Sequence, residues 1–158
     1  MIRRALGNIV EGVLLVLMVV LCADVFLGVF SRYVLVRTFT WYDEIARLLF
    51  VWIVFLGAAV GVKRGAHFRL HLLVDRFPPA LQRAAVVFGI LVVIAFGWLL
   101  IQQGWKLVEL GQFQQTAVMG LSKQYVYLSV PVGGALVILF SLGHLWNALR
   151  GARTASGH

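Results

Sequence analysis

Trp41-Tyr42-Asp43-Glu44-Ile45-Ala46-Arg47 runs directly into Leu48-Leu49-Phe50-Val51-Trp52-Ile53-Val54-Phe55-Leu56-Gly57-Ala58-Ala59-Val60-Gly61-Val62, and the next charge is Lys63. From about Asp43 to Val62 this is the length of a helix that crosses a bilayer, which takes about 20 predominantly apolar residues. Its charges crowd at one mouth. Charges near lipid are costly and are kept there mainly when they pair or serve a function. Glu44 and Arg47, three apart, share a helix face and can neutralise one another. Asp43 and Glu44 fall at the positive end of the helix dipole, where carboxylates are favoured. Trp41 and Tyr42 are the amphipathic rings expected at headgroup level. Two readings follow: a cap at the helix start within an interfacial belt, or a charged clasp that docks this helix on a neighbour, in this chain or in a partner.

Three further apolar spans flank this one, at about 8–31, 79–111 and 122–149. They are long, rich in Leu, Val and Ala, and lack period-two alternation, so strands are excluded. With 61% hydrophobic and 13% charged residues and a mean hydropathy of +0.93, lipid must be the solvent for most of the chain. The expected fold is an all-α integral membrane protein, a single four-helix domain over 1–158. The third span follows Pro78-Pro79, a good helix start. Its 33 residues would reach ~50 Å against a hydrocarbon core of ~30 Å, so it must tilt or project into water. Ser122 is a candidate N-cap for the fourth span, and Pro131 within that span should kink it. The first span is too long for a signal-peptide core and has no small-residue cleavage site, so it should be retained. Cys22, the single cysteine, permits no intrachain disulfide.

The net charge of +8 lies in the connections rather than on one helix, which argues against nucleic acid and for membrane topology. Arg3, Arg4, Lys63, Arg64, Arg69, Arg76, Arg83, Arg150 and Arg153 stand on one side, and Arg32, Arg37, Lys106 and Lys123 on the other. The positive-inside rule then places both termini and the second loop in the cytoplasm.

Chemistry-bearing groups are few. Asp24 is the deep carboxylate, ~12 Å inside the end of its helix when counted from Arg32 at 1.5 Å per residue. It can pair with Arg47 across helices, or face the bundle and bond a backbone or hydroxyl group. No second intramembrane acid continues a proton relay. His67 and His71 could share a face as metal ligands, but only Asp75 offers a third, so two polar residues of a basic loop suffice. His144 has no partner His at matching depth for haem. Gly57 and Gly61 form a small-xxx-small pattern that lets helices approach closely, and Gly133-Gly134-Ala135 forms a second smooth patch; each serves internal packing or another membrane protein. With no nucleophile triad, phosphate-cradling loop or metal cluster in the sequence, neither an enzyme nor a cofactor is expected.

Ser31-Arg32-Tyr33, Trp41-Tyr42-Asp43-Glu44, Arg47, Trp52, Phe55-Leu56-Gly57-Ala58-Ala59, Lys63-Arg64 and His67-Phe68, with a weaker late match at Pro131-Val132-Gly133, resemble the small, DctQ-like membrane subunit of tripartite ATP-independent periplasmic (TRAP) transporters. The resemblance implies a bacterial inner-membrane accessory subunit. It would brace a large multi-span permease that carries sodium and substrate sites, and help dock a periplasmic solute-binding protein that delivers an organic acid. Two other classes compete. A small proton-coupled efflux carrier would use Asp24, but such carriers tend to be weakly biased in charge, unlike this chain. A membrane anchor of a redox enzyme would need His pairs or a quinone pocket at depth.

Overall fold

The computed structural model describes residues 2–34, 41–65 and 79–154. His67, His71, Asp75, Thr38 and the basic residues Arg37, Arg69 and Arg76 lie outside the described residues. Among the described residues five helices follow in order: α1 Ile2–Tyr33, α2 Trp41–Lys63, α3 Pro79–Gly111, α4 Gln124–Tyr127 and α5 Ser129–Thr154. Four helical stretches among the described residues are long and apolar enough to cross a membrane: Leu6–Tyr33, Trp41–Lys63, Ala84–Gly111 and Gln124–Trp146. The four expected spans are therefore present. α1 begins earlier than expected, at Ile2, and α2 takes in Trp41 and Tyr42.

In the fourth span the helix is divided at Leu128 into α4 and α5, with Pro131 the third residue of α5. The physical reason is local. Proline has no N–H to give the Tyr127 carbonyl, so the i→i−4 ladder is interrupted there. In the first turn of a helix that missing donor is one of the unsatisfied groups anyway. Leu128 keeps a right-handed backbone (φ −61°, ψ −24°), its N–H donates to the Gln124 carbonyl at 2.8 Å, and Val132 N–H donates to the Leu128 carbonyl at 3.3 Å. Buried Ser129 helps to close the joint, its Oγ donating to the Val126 carbonyl at 2.6 Å. Lys123 precedes α4 and makes no side-chain cap bond; Ser122 Oγ accepts the Gln124 N–H at 3.4 Å, as a cap does, and donates to the Gly111 carbonyl at 3.0 Å, joining the end of α3 to the start of α4.

The helices form a row. α1 packs on α2, α2 on α5, and α5 on α3, while α4 bears mainly on α3. One buried cluster joins Ala59 and Val62 of α2 to Val137 and Phe140 of α5, with Val93 of α3 against it. The other joins Val10 of α1 to Leu56 and Val60 of α2, and Leu136 touches both clusters. Outside the row Phe26, Phe50, Phe88, Phe96 and Trp98 are exposed, a surface that only an apolar solvent or a partner tolerates.

Backbone proximity decides where α5 sits. A methyl placed on Gly134 would lie 2.9 Å from the Gly97 carbonyl, and one on Gly104 would lie 2.8 Å from Pro131 Cδ, so α3 and α5 meet at small residues. Gly133 faces the other way, where a methyl would lie 2.7 Å from Phe55 Cβ of α2. The Gly133-Gly134 patch thus serves internal packing toward two neighbours. Gly57 and Gly61 differ: a methyl at either would meet no other helix within 4 Å among the described residues.

Candidate functional site

The segment between α3 and α4 folds as a small hairpin outside the spans. Gln115 and Ser122 form an antiparallel bridge. Thr116 N–H donates to the Leu121 carbonyl at 2.8 Å, and Lys123 N–H to the Gln114 carbonyl at 2.9 Å. Gly120, at φ +65°, makes the reversal that an L side chain would resist. The Glu44 carboxylate reaches its tip. Val118 N–H donates to Glu44 Oε1 at 2.8 Å and Met119 N–H to Glu44 Oε2 at 3.1 Å. A carboxylate takes backbone donors more strongly than a neutral acceptor would, so one side chain of α2 orders a hairpin that has little core of its own. Trp52 Nε1–H adds a second tie, donating to the Tyr125 carbonyl of α4 at 3.1 Å. The hairpin presents Phe113, 90% exposed, with Val118, Met119 and Leu121 also exposed.

Neither the Glu44–Arg47 clasp nor the Asp24–Arg47 pairing forms as an ion pair among the described residues. Among the described residues, ion pairs form only between Glu11 and Lys63 and between Glu11 and Arg64. Glu44 turns to the hairpin, because two aligned N–H groups lie in front of it. Arg47, exposed, lines with Glu44 a cleft of about 440 Å³ bounded by Thr116, Lys123 and Tyr127. Asp24 and Arg32 line a different cleft, of about 230 Å³, between α1 and α2, together with Tyr42, Asp43 and Ala46. Successive residues of a helix point 100° apart, so Ala46 can face Asp24 while Arg47 faces the hairpin. Trp41 stacks on Tyr42, ring centroids 3.8 Å apart.

The opposite end of the α1–α2 pair carries a charged brace that the sequence reading passed over. Lys63 Nζ donates to Glu11 Oε1 at 3.0 Å and to Asn8 Oδ1 at 3.2 Å. Arg64 grips the same carboxylate, Nη2 to Oε2 at 3.1 Å and Nε to Oε1 at 3.4 Å. That pairing holds the guanidinium of Arg64 further above its ordinary value, chiefly through the hydrogen bond it donates to Glu11. His144 of α5 lies with Nε2 3.2 Å from the Lys63 carbonyl, so three helices converge on the end of α2. A signal existed: Glu11 and Lys63 lie equally far from the middle of the α1–α2 connection, where antiparallel helices place residues opposite one another.

The ends of α2 are thus both fastened by carboxylates, Glu44 to the hairpin and Glu11 to Lys63 and Arg64. Among the described residues no group of three or more His, Cys, Asp or Glu side chains could hold a metal ion.

The family model for the DctQ component of tripartite ATP-independent periplasmic transporters matches residues 17–151. The chain is 26% identical over 151 residues to the sialic acid TRAP transporter small permease protein SiaQ of Vibrio cholerae, covering 95% of this chain and 87% of that one. It is 30% identical over 134 residues to the C4-dicarboxylate TRAP transporter small permease protein DctQ of Pseudomonas aeruginosa, covering 78% and 61%. A segment of the Haemophilus influenzae sialic acid TRAP transporter permease protein SiaT is 27% identical over 110 residues, 70% of this chain but 18% of that longer one.

Proposed function

Since the chain belongs to the DctQ component family of tripartite ATP-independent periplasmic transporters, we propose that it braces a large permease subunit and itself translocates nothing. The complex would sit in a bacterial inner membrane with this chain's termini and second loop in the cytoplasm. It would take up an organic acid with sodium, delivered by a periplasmic solute-binding protein. The observation that carries the bracing role is how the polar side chains of α2 are used: Glu44 and Trp52 hold the hairpin and α4, and Lys63 holds α1. These groups fasten helices to one another, as a brace requires. A carrier for carboxylates needs cationic or hydroxyl-rich groups converging at depth, and the basic residues of this chain cluster at helix ends. The occurrence of a similar segment inside the much longer SiaT permease chain supports pairing with a large permease. The hairpin between α3 and α4, with its exposed apolar side chains, is the surface we assign to the periplasmic side, where it would help to dock the binding protein.

The test is reconstitution. Proteoliposomes holding this chain alone should show no sodium-driven uptake of organic acids, whereas chain, large subunit and binding protein together should show it. Uptake by the chain alone would overturn the bracing role.

A further inference from the structure

Two buried side-chain oxygens among the described residues have no hydrogen-bond partner within the chain, Asp24 Oδ2 and Ser141 Oγ. A lone hydroxyl is a modest cost, but a carboxylate oxygen at membrane depth without a donor is a larger one. Asp24 is only 8% exposed and lines the cleft of about 230 Å³ between α1 and α2. We propose that this cleft receives one cationic side chain, Lys or Arg, from the large permease subunit. The inference rests on the small-subunit reading above and adds to it the place of contact and its chemistry.

Charge complementarity sets the occupant. The cleft is faced by Asp24 and Arg32 from α1 and by Asp43 from α2, two carboxylates against one guanidinium, which leaves a single negative charge to be matched. Arg32 is exposed and lies ~12 Å along α1 from Asp24 at 1.5 Å per residue. Arg47 faces the hairpin cleft instead. Gly28 and Ala46 are the small residues that line the cleft beside Asp24. α1 is also the edge of the row, packed mainly on α2, and the least buried of the four spans. A metal ion fits less well, because no third ligand of the His, Cys, Asp or Glu type joins the two carboxylates among the described residues.

The experiment co-expresses the tagged chain with its large subunit and purifies the complex in mild detergent. Asp24→Asn should weaken retention of the large subunit by about thirtyfold or more, as loss of one partner of a buried charge pair does, and Asp24→Glu should restore part of it. Normal recovery with Asp24→Asn would mean that a neutral side chain suffices, overturning the proposal while the small-subunit reading stands. Failure of the unsubstituted chain to retain a large subunit would overturn both. Should Asp24→Asn destabilise the isolated chain, a photo-crosslinking residue at Val25, which lines the same cleft, decides the matter with Asp24 intact. Adducts should map to a segment of the large subunit bearing a Lys or Arg. Adducts with lipid alone, or with a segment lacking a base, would overturn the proposal.

Discussion

Glu44 and Met119, seventy-five residues apart, are joined by a hydrogen bond in which the Met119 N–H donates to Glu44 Oε2 at 3.1 Å. Together with the 2.8 Å bond from Val118 N–H to Oε1, it makes the first turn of α2 the anchor of the hairpin that follows α3. A carboxylate placed at a helix start for its favourable dipole acts here on another element altogether.

Glu44→Gln keeps one acceptor oxygen and loses the charge, so the paired capture of Val118 and Met119 should fail. Hydrogen exchange at these two amides should speed up, while the Lys123 amide, held within the hairpin by the Gln114 carbonyl, changes little. The yield of assembled complex should fall as well, whereas Lys123→Gln should leave it unaltered. Equal yields for the two variants would reduce Glu44 to a simple helix cap.

Glu11 predicts a charge-swap rescue. Glu11→Lys sets a cation against Lys63 and Arg64 and should lower the melting temperature of the purified chain. Adding Lys63→Glu should recover part of that loss, since the pair is reformed in reverse. A double variant as unstable as Glu11→Lys alone would show that packing at Gly7 and Val10, not charge, holds this end.

Gly134 and Gly57 should respond in opposite ways. Gly134→Leu forces a side chain against the Gly97 carbonyl, which a methyl would already approach to 2.9 Å; overpacking of this kind costs about 1–3 kcal/mol. A methyl at Gly57 would meet no other helix within 4 Å among the described residues, so with Gly57→Ala the isolated chain should melt as the unsubstituted one does. Thermal unfolding in detergent checks both, and equal losses would contradict the α3–α5 contact as described.

Orientation is tested by reporters. Tags at the amino end, Ala66 and Gly157 should read as cytoplasmic, and tags at Thr38 and Gln115 as periplasmic. Reversal at Ala66 and Thr38 would invert the topology and move the hairpin to the cytoplasm.

What the sequence determined by itself was the inventory of spans. Runs such as Leu48–Val62 have one stable solution in lipid, a helix that satisfies its own backbone, and that holds whatever lies beside it. The family could be read from Arg32 to His67 for the same reason: the matching residues are contiguous in the chain. Tertiary structure alone decided the partners. Glu44 was legible as a charge at a helix mouth, but three positions along the same helix Arg47 was a sufficient partner on spacing alone. Only the fold brings the Val118 and Met119 amides within reach, and two aligned donors on one carboxylate displace an ion pair that water screens. Likewise nothing in the letters separates Gly133-Gly134, closed against α2 and α3, from Gly57 and Gly61, left open. Helical periodicity says which residues share a face; which face finds a neighbour depends on how the whole row packs.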